Sequence, residues 1–256
     1  MKELFNLTGK TALVTGGGRG LGEQMVQALA EAGANIVICS RNLEACQAVV
    51  DRLTARGTQA LALACDASDP AMIRQVVDKA VEHFGRIDIL VNNSGISWAA
   101  PMLAMPVDKW DKVMNVNVRA VFLFAQAVAP IMMQNGGGKI INIASVSGFG
   151  GTHPALMDTI AYNTSKGAVM TLTKDLAVKL ASYNIQINAI APGFFPTKIT
   201  QKLQENISEK LLVHIPARRF GGENDLGGSV IFLASSASDY VTGHVLVVDG
   251  GMSALV

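Results

Sequence analysis

Short apolar runs rich in β-branched residues alternate with helix-length segments along the whole chain. This alternation is typical of a parallel sheet covered by helices on both faces. The runs are apolar nearly throughout, as expected for strands buried on both sides. We therefore predict an α/β fold with a doubly wound parallel sheet. The seven runs are TALVTG from Thr11, NIVICS from Asn35, LALACD from Leu61, IDILVNN from Ile87, KIINIAS from Lys139, IQINAIAPG from Ile185 and HVLVVDGG from His244.

The chain has 256 residues and contains no linker-like stretch. Because α/β folds of this length commonly form one domain, we predict a single domain over residues 1–256. The region 194–220 is less regular than the rest and follows the motif APG. We predict that it is a mobile lid over the substrate site.

Composition limits the class of partner. Half of the residues are hydrophobic and the formal net charge is only +1, which argues against binding a nucleic acid or a membrane surface through a basic field. We expect small molecules and other copies of the chain as partners. The apolar run 120–133 is too short to span a bilayer and contains Gln126 and Pro130, which favours a buried or subunit-contacting helix.

The cysteines and histidines indicate the compartment and argue against a metal site. Cys39, Cys46 and Cys65 are odd in number and lack C-x-x-C spacing, as expected for small core residues in a reducing compartment. No secretory signal pattern precedes the first strand, so we predict a cytoplasmic protein. The four histidines are scattered and form no metal-ligand pattern.

A glycine-rich turn, TGGGRGLG over residues 15–22, follows the first strand and opens a helical segment. Glycines in this position allow a tight turn and a close approach of the backbone to a pyrophosphate, which lies against the positive end of the helix dipole. The alternative is a merely flexible turn. The placement between strand and helix favours a dinucleotide site.

The end of the second strand decides between NAD and NADP, because an acidic residue there bonds the ribose 2′-hydroxyl and repels a 2′-phosphate. Ser40 stands where the acid would be, and Arg41 follows it. A guanidinium can bind a phosphate through two hydrogen bonds, and Arg19 in the glycine loop can add a second charge. In the alternative, Arg41 is an exposed loop residue and Glu44 bonds the ribose. We predict NADP(H) as the preferred cofactor, with NAD(H) as the alternative.

Two further strand ends carry candidate cofactor residues. Asp66 is placed either to meet the adenine edge or to cap the next helix. The segment VNNSG, residues 91–95, is suited to letting a cofactor pass close by, or is a simple turn.

The fifth strand ends at Ser145, where open α/β sheets bind ligands at their carboxyl edge. Tyr162 and Lys166 come next, four residues apart and therefore on one helix face. Free tyrosine, with a pKa of about 10, is a weak acid near pH 7, and lowering that pKa by roughly 3 is worth about 4 kcal/mol. A positive charge about 4 Å away, at an effective dielectric constant of about 20, supplies about 4 kcal/mol. We therefore expect Lys166 to make Tyr162 a usable acid.

Seven separated signals resemble, in order and spacing, the short-chain dehydrogenase/reductase family: TGGGRGLG, NNSG, the Asn in NVNVRAVF, Ser145, YNTSK, APG and VDGG. The resemblance covers nearly the whole chain. It implies a single-domain Rossmann fold with a seven-stranded parallel sheet, NAD(P)(H) as cofactor, hydride transfer at a carbonyl or carbinol, and a homotetramer formed through the two long helices and the last strand.

The resemblance also implies roles for individual residues. Ser145 would bond the carbonyl oxygen, Tyr162 would be the general acid and base, Lys166 would also hold the nicotinamide ribose, and Asn117 would hold a proton-carrying water. The implied cofactor contacts are Gly16, Gly18, Arg19, Gly20, Leu21, Gly22, Ser40, Arg41, Asp66, Ala67, Asn93, Ser94, Gly95, Tyr162, Lys166, Pro192, Gly193, Phe195 and Thr197.

The sequence departs from the family pattern in two places. Ser94 stands where the family usually has alanine, and the interval from Ser145 to Tyr162 is longer than usual by about one helical turn. Because the added residues fall in a loop over the reaction centre, we expect them to influence the choice of substrate and not the chemistry.

The residues that flank these motifs are mostly apolar, which favours an aliphatic, aryl or 3-oxoacyl ketone. We therefore predict an NADPH-dependent ketone reductase. The alternatives are an NAD-dependent sugar or polyol dehydrogenase and a non-catalytic cofactor-binding regulator. Within the family, the lid and loop sequences are most similar to gluconate 5-dehydrogenase-like and 3-oxoacyl-acyl-carrier-protein reductase-like members. The candidate substrate residues are Ser97, Trp98, Met157 and Phe194, with Met102, Leu156, Phe195 and Ile199 beside them.

Overall fold

The computed structural model describes residues 2–196 and 211–255. Every one of the seven apolar runs forms a strand, as predicted. The strands are β1 (Thr11–Thr15), β2 (Asn35–Ser40), β3 (Ala60–Ala64), β4 (Ile89–Asn92), β5 (Gly138–Ile143), β6 (Ile185–Pro192) and β7 (Val245–Val248).

All the strands lie in one parallel sheet with the order β3-β2-β1-β4-β5-β6-β7. This confirms the predicted doubly wound sheet. The order reverses between β1 and β4, so the chain leaves these two neighbours in opposite directions. A crevice at the carboxyl ends of the strands is the usual ligand site at such a reversal.

Helices cover both faces of the sheet. Alternate strand residues point to opposite faces, so the neighbouring residues Leu13 and Val14 of β1 pack against different sets of helices. The helices are α1 (Gly20–Glu31), α2 (Leu43–Thr54), α3 (Pro70–Phe84), α4 (Val107–Met114), α5 (Ala120–Gln134), α6 (Ile160–Leu180) and α7 (Gly227–Ala234).

The two edge strands differ from the expectation of burial on both sides. Residues of β3 and β7 are mostly half-buried, because each edge strand has a neighbour on one side only. The central strands β1, β4 and β6 are buried throughout.

Helices α4 and α5 are joined by a π-helical turn, Asn115–Arg119, which the sequence did not predict. The continuous stretch Val107–Gln134 is long and apolar enough to cross a membrane by length and composition alone, but 44% of its most apolar window is buried within the protein. Its buried side chains, among them Phe124 and Val128, belong to the core under the sheet. A core helix explains this stretch.

The region 194–220, predicted to be a mobile lid, is described in part, and residues 197–210 lie outside the described residues. On either side of them, Phe195, Leu211 and Ile215 are buried. The described flanks are therefore packed against the body of the protein.

Candidate active site

The glycine turn follows β1 and packs so closely that side chains are excluded. Gly16 and Gly20 have positive φ angles of 68° and 57°, a conformation that glycine adopts without strain. A Cβ at Gly22 would lie 2.3 Å from the Gly16 carbonyl oxygen, and one at Gly18 would lie 3.1 Å from the Cys46 nitrogen. The turn is thereby held between α1 and the start of α2.

The end of β4 supports this turn from beside it. The Asn93 amide donates to the carbonyls of Thr15 and Gly16 at 3.0 and 3.1 Å, and the main-chain nitrogens of Asn93 and Ser94 donate to the Thr15 hydroxyl. The NNSG segment is thus more than a simple turn, since it fixes the glycine loop in the crevice.

The start of α1 is suited to an anion. Arg19 occupies the N-cap position in extended conformation and is exposed, and no side chain caps the helix. The first main-chain N–H groups of α1, at Gly20 and Leu21, therefore face the glycine turn without a side-chain acceptor. This arrangement fits a pyrophosphate, which would accept hydrogen bonds from these N–H groups.

The β2 end presents Arg41 to the crevice. Ser40 is engaged locally, because its hydroxyl donates to the Asn42 carbonyl at 3.0 Å and contacts the Cys46 sulfur at 3.1 Å. Arg41 is exposed and lines two neighbouring cavities of about 250 and 370 Å³, whereas Glu44 lines neither. This placement favours Arg41 over the Glu44 alternative.

Lys112 on α4 lines both cavities as well. The Arg41 guanidinium and the Lys112 ammonium both lower the pKa of Asp66, although the hydrogen bonds from Ser68 lower it more. Within the described parts of the chain, the side chains of Arg41 and Lys112 form no ion pair or hydrogen bond. Two cations thus lie beside the end of β2, where Asp108 and Asp111 also line the larger cavity. The sequence analysis missed Lys112, whose only signal is its place on the helix after β4.

Asp66 does not cap α3. Its carboxylate accepts hydrogen bonds from the Ser68 nitrogen and hydroxyl at 2.9 and 2.7 Å, while Asp69 caps the helix by accepting from Ala71. Half-buried Asp66 lines the larger cavity, and Ala67 beside it is buried. The capping alternative for Asp66 is therefore wrong.

Ser145 and Tyr162 come together at the carboxyl edge. Ser145 is buried at the end of β5, and the next turn packs directly on α6, since a Cβ at Gly148 would lie 2.7 Å from the Lys166 carbonyl carbon. Burial raises the pKa of Tyr162, and the Ser145 hydroxyl acts in the opposite direction by hydrogen bonding. The two side chains are therefore neighbours, so a carbonyl oxygen bound between them can accept from both hydroxyls.

Lys166 is buried one turn further along α6. Its ammonium donates to the Ile143 carbonyl at 2.6 Å and lies 5.6 Å from the centre of the Tyr162 ring. Burial lowers the pKa of Lys166 to about 8. The expected lowering of the Tyr162 pKa by Lys166 is absent in the protein alone, where burial is the main influence on the phenol and raises its pKa.

Asn117 lies in the π-helical turn and is buried. Its amide nitrogen donates to the Ile96 carbonyl and the Ser165 hydroxyl, both at 2.9 Å, and its oxygen accepts from the Ile96 nitrogen at 2.8 Å. Gly95 approaches both Asn117 and Lys166. The side chain therefore joins the segment after β4 to α6. Such turns recur at functional sites.

The predicted contacts after β6 are described only in part. Pro192 ends β6, and a Cβ at Gly193 would lie 2.7 Å from the Asp249 Cβ. The Phe195 side chain is buried and packs on Gly221. Thr197 and Ile199 lie outside the described residues.

Two of the candidate substrate residues, Ser97 and Trp98, line the smaller cavity together with Arg41 and Lys112. Ser97 and Trp98 are exposed, Met157 and Phe194 are half-buried, and Lys109 lies 5.1 Å from the centre of the Trp98 ring. The Ala100 nitrogen donates to the Asp158 carbonyl at 2.9 Å. This bond joins the segment after β4 to the loop before α6.

Comparisons with known proteins identify the family. A family model for enoyl-(acyl carrier protein) reductase matches residues 16–253. The 2-dehydro-3-deoxy-D-gluconate 5-dehydrogenase of Dickeya dadantii is 45% identical over 96% of both chains. The chain belongs to the short-chain dehydrogenase/reductase family. It is accordingly an NAD(P)-dependent oxidoreductase that acts on CH–OH and C=O groups.

Two further members illustrate the range of this similarity. The 3-oxoacyl-[acyl-carrier-protein] reductase FabG of Thermotoga maritima is 38% identical over 97% of this chain and 99% of its own. The crystal structure of a gluconate 5-dehydrogenase from Burkholderia cenocepacia, in complex with NADP and tartrate, has a TM-score of 0.94 and 42% identity, covering 100% of this chain and 99% of that one. Both resemblances within the short-chain dehydrogenase/reductase family that the sequence indicated are confirmed.

Proposed function

We propose that this enzyme interconverts a ketone and a secondary alcohol with NADP(H), and that its substrate is a hydroxylated keto acid. The observation that carries the proposal is the meeting of Ser145, Tyr162 and Lys166 at the carboxyl edge of the sheet, beside a glycine turn with an uncapped helix. The relatives and neighbours named for gluconate and its derivatives support the substrate class.

The residues fit NADP. The tight glycine turn and the first N–H groups of α1 suit the pyrophosphate, and Arg41 with Lys112 suits a 2′-phosphate. NADPH supplies the hydride when it is bound. The structurally similar gluconate 5-dehydrogenase from Burkholderia cenocepacia is in complex with NADP, which supports this cofactor.

In the reduction, the Ser145 hydroxyl donates a hydrogen bond to the carbonyl oxygen and stabilises its growing negative charge. Tyr162 gives its proton to that oxygen. The raised pKa keeps the phenol protonated at neutral pH, which is the form that can donate. Lys166, charged below a pH of about 8, stabilises the phenolate left behind.

Asn117 has a positioning role in this scheme. Both of its amide protons are engaged with Ile96 and Ser165. A water that returns protons to the site, as the family resemblance implies, would therefore bond the main-chain carbonyl of Asn117 and not its amide group.

An apolar or 3-oxoacyl ketone is the second candidate substrate. Trp98, Met157 and Phe194 are apolar and at least partly exposed. The similarity to a 3-oxoacyl-[acyl-carrier-protein] reductase favours the same candidate. We further propose a homotetramer in the cytoplasm. The three buried cysteines, all free, suit a reducing compartment.

The test is turnover with NADPH and NADH in parallel, on keto-gluconates, apolar ketones and 3-oxoacyl thioesters. We expect the fastest rates with NADPH and a keto-gluconate. Tyr162→Phe should lower kcat by roughly 10²–10⁴-fold, the usual contribution of general acid catalysis, while the Kd of NADPH stays within about two-fold.

Each other outcome has a definite meaning. Fastest turnover of thioesters would replace the substrate class, and preference for NADH would contradict the proposed cofactor. A Tyr162→Phe enzyme as fast as wild type would refute the role of the phenol. Absence of turnover on every substrate, with NADPH still bound, would favour the non-catalytic regulator.

A further inference from the structure

We propose that Asn163 is a positioning residue that holds the loop 152–159 over the reaction centre and thereby sets the affinity for substrate. The inference rests on the proposed function, because the loop is taken to cover the site where the substrate binds. Asn163 directly follows Tyr162 on α6, so the residue that orders the loop shares a helical turn with the proposed acid.

The Asn163 side chain bonds both ends of the loop. Its amide nitrogen donates to the Thr152 hydroxyl at 2.9 Å, and its oxygen accepts from the Thr159 hydroxyl at 3.0 Å. The two threonines are seven positions apart. A single amide therefore closes the loop, and Thr159, which is buried, cannot replace the lost bond with water.

The loop is also ordered within itself. The His153 carbonyl accepts from the nitrogens of Leu156 and Met157 at 2.8 and 3.1 Å. The loop can therefore move as one unit about its ends. The bonds to Asn163 restrain that motion, since the loop has no regular secondary structure beyond this turn.

The far side of the loop faces the other candidate substrate residues. Asp158 accepts from the Ala100 nitrogen, two residues after Trp98. The half-buried Met157 side chain lies in the loop itself. A shift of the loop therefore alters the distance between Met157 and Tyr162 without moving the hydroxyls of Ser145 and Tyr162.

This arrangement predicts a selective effect. Asn163→Ala should raise KM for the best substrate about ten-fold, which corresponds to the loss of a typical hydrogen bond or two. We expect kcat to change less than about two-fold and the Kd of NADPH to stay unchanged. Mutation of a residue in the chemistry itself would instead lower kcat.

Matched threonine variants separate the bonds from the packing. Thr152→Val removes the hydroxyl and keeps the shape, whereas Thr152→Ser keeps the hydroxyl. We expect Thr152→Val to raise KM and Thr152→Ser to restore it nearly to the wild-type value. The double variant Asn163→Ala/Thr152→Val should be no worse than Asn163→Ala alone, since both remove the same bond.

Hydrogen exchange tests the loop without any substrate. Asn163→Ala should speed the exchange of the main-chain amides in residues 152–159 at least about five-fold, with α3 and β5 unchanged. Unaltered exchange in the loop would overturn the inference. So would a fall in kcat at constant KM, or Thr152→Ser behaving like Thr152→Val. If the wild type turns over no substrate, the proposed function fails, while the exchange result still decides whether Asn163 orders the loop.

Discussion

At the scale of single residues, the pair Tyr162 and Lys166 shows how burial changes a simple charge argument. The sequence places an ammonium one turn from a phenol, and Coulomb attraction alone would make the phenol more acidic. In the folded chain the phenol and the ammonium are both withdrawn from water, so each neutral form is favoured. At neutral pH the Tyr162 phenol of the protein alone is thus protonated, which is the form that the proposed acid needs.

The depressed pKa of Lys166 predicts a measurable effect on stability. The folded pKa of about 8 lies below the ordinary 10.5, so between these pH values the unfolded chain binds the extra proton and stability rises with pH. From about pH 7.5 to about pH 10, Lys166 should add roughly 2 kcal/mol to the free energy of unfolding. Below a pH of about 8, Lys166 is charged in both the folded and the unfolded chain, and its burial destabilises the folded protein fully.

Lys166→Met removes this titration and nearly preserves the shape of the side chain. In urea unfolding, the free energy of unfolding of the wild type should rise between about pH 7.5 and about pH 10. We expect the rise in the variant to be smaller by roughly 2 kcal/mol. The two proteins are compared at one concentration, because assembly affects apparent stability. Parallel stability curves for the two proteins over this pH range would show that the folded lysine titrates normally.

At the scale of elements, the end of the crevice near Arg41, where we propose that the adenosine binds, is built from the turn between β2 and α2 and from α4. The sequence predicts Arg41 because it sits at a strand end, where parallel sheets place their ligands. It does not predict Lys112, because the distance between α4 and the β2 end depends on tertiary packing.

Charge reversal of Arg41 tests this end of the site. Arg41→Asp should weaken the binding of NADPH about a hundred-fold, since a charged hydrogen bond to phosphate contributes roughly 1.5–3 kcal/mol. The same change should strengthen the binding of NADH, because a carboxylate can bond the free ribose 2′-hydroxyl. Lys112→Ala should weaken the binding of NADPH about ten-fold and leave the binding of NADH unchanged. Both Kd values are measured by quenching of cofactor fluorescence.

Lys79→Ala is the matched control, because Lys79 is an exposed lysine on α3 and lines neither cavity. It should leave both Kd values within about two-fold. An equal loss of NADPH and NADH binding in Lys112→Ala would mean that Lys112 supports the site generally and does not recognise a phosphate.

Local patterns predicted all seven strands and the order of the motifs, since apolar runs and glycine turns act over a few residues. Other features depend on contacts between distant segments. Asp66 and Asp69 are equally good caps by type, and only the folded turn assigns the cap to Asp69. The π-helical turn around Asn117 has no composition signal. The bonds of Asn163 need the loop in place before they can be seen.

At the scale of the whole molecule, the exposed apolar side chains of the described residues include some on the two long helices and some near the last strand. Val178 on α6 is 82% exposed and Phe122 on α5 is 41% exposed. Val247 on the edge strand β7 is 36% exposed, and Tyr240 nearby in sequence is fully exposed. These positions coincide with the long helices and the last strand, which the family resemblance implies as contact surfaces between subunits. Contiguous exposed apolar surface marks protein interfaces, and we propose that these positions belong to such surfaces.

Two different surfaces, each paired with itself, generate a tetramer with three two-fold axes, so disrupting one surface should leave a dimer that uses the other. Val178→Glu and Val247→Glu should each reduce the mass in light scattering from four to two times the 26.9 kDa of the chain. Leu43→Glu places the same charge on an exposed apolar residue of α2 and should remain tetrameric. A monomeric wild type would contradict the proposed assembly, and an unchanged mass in both valine variants would exclude these two surfaces as the contacts.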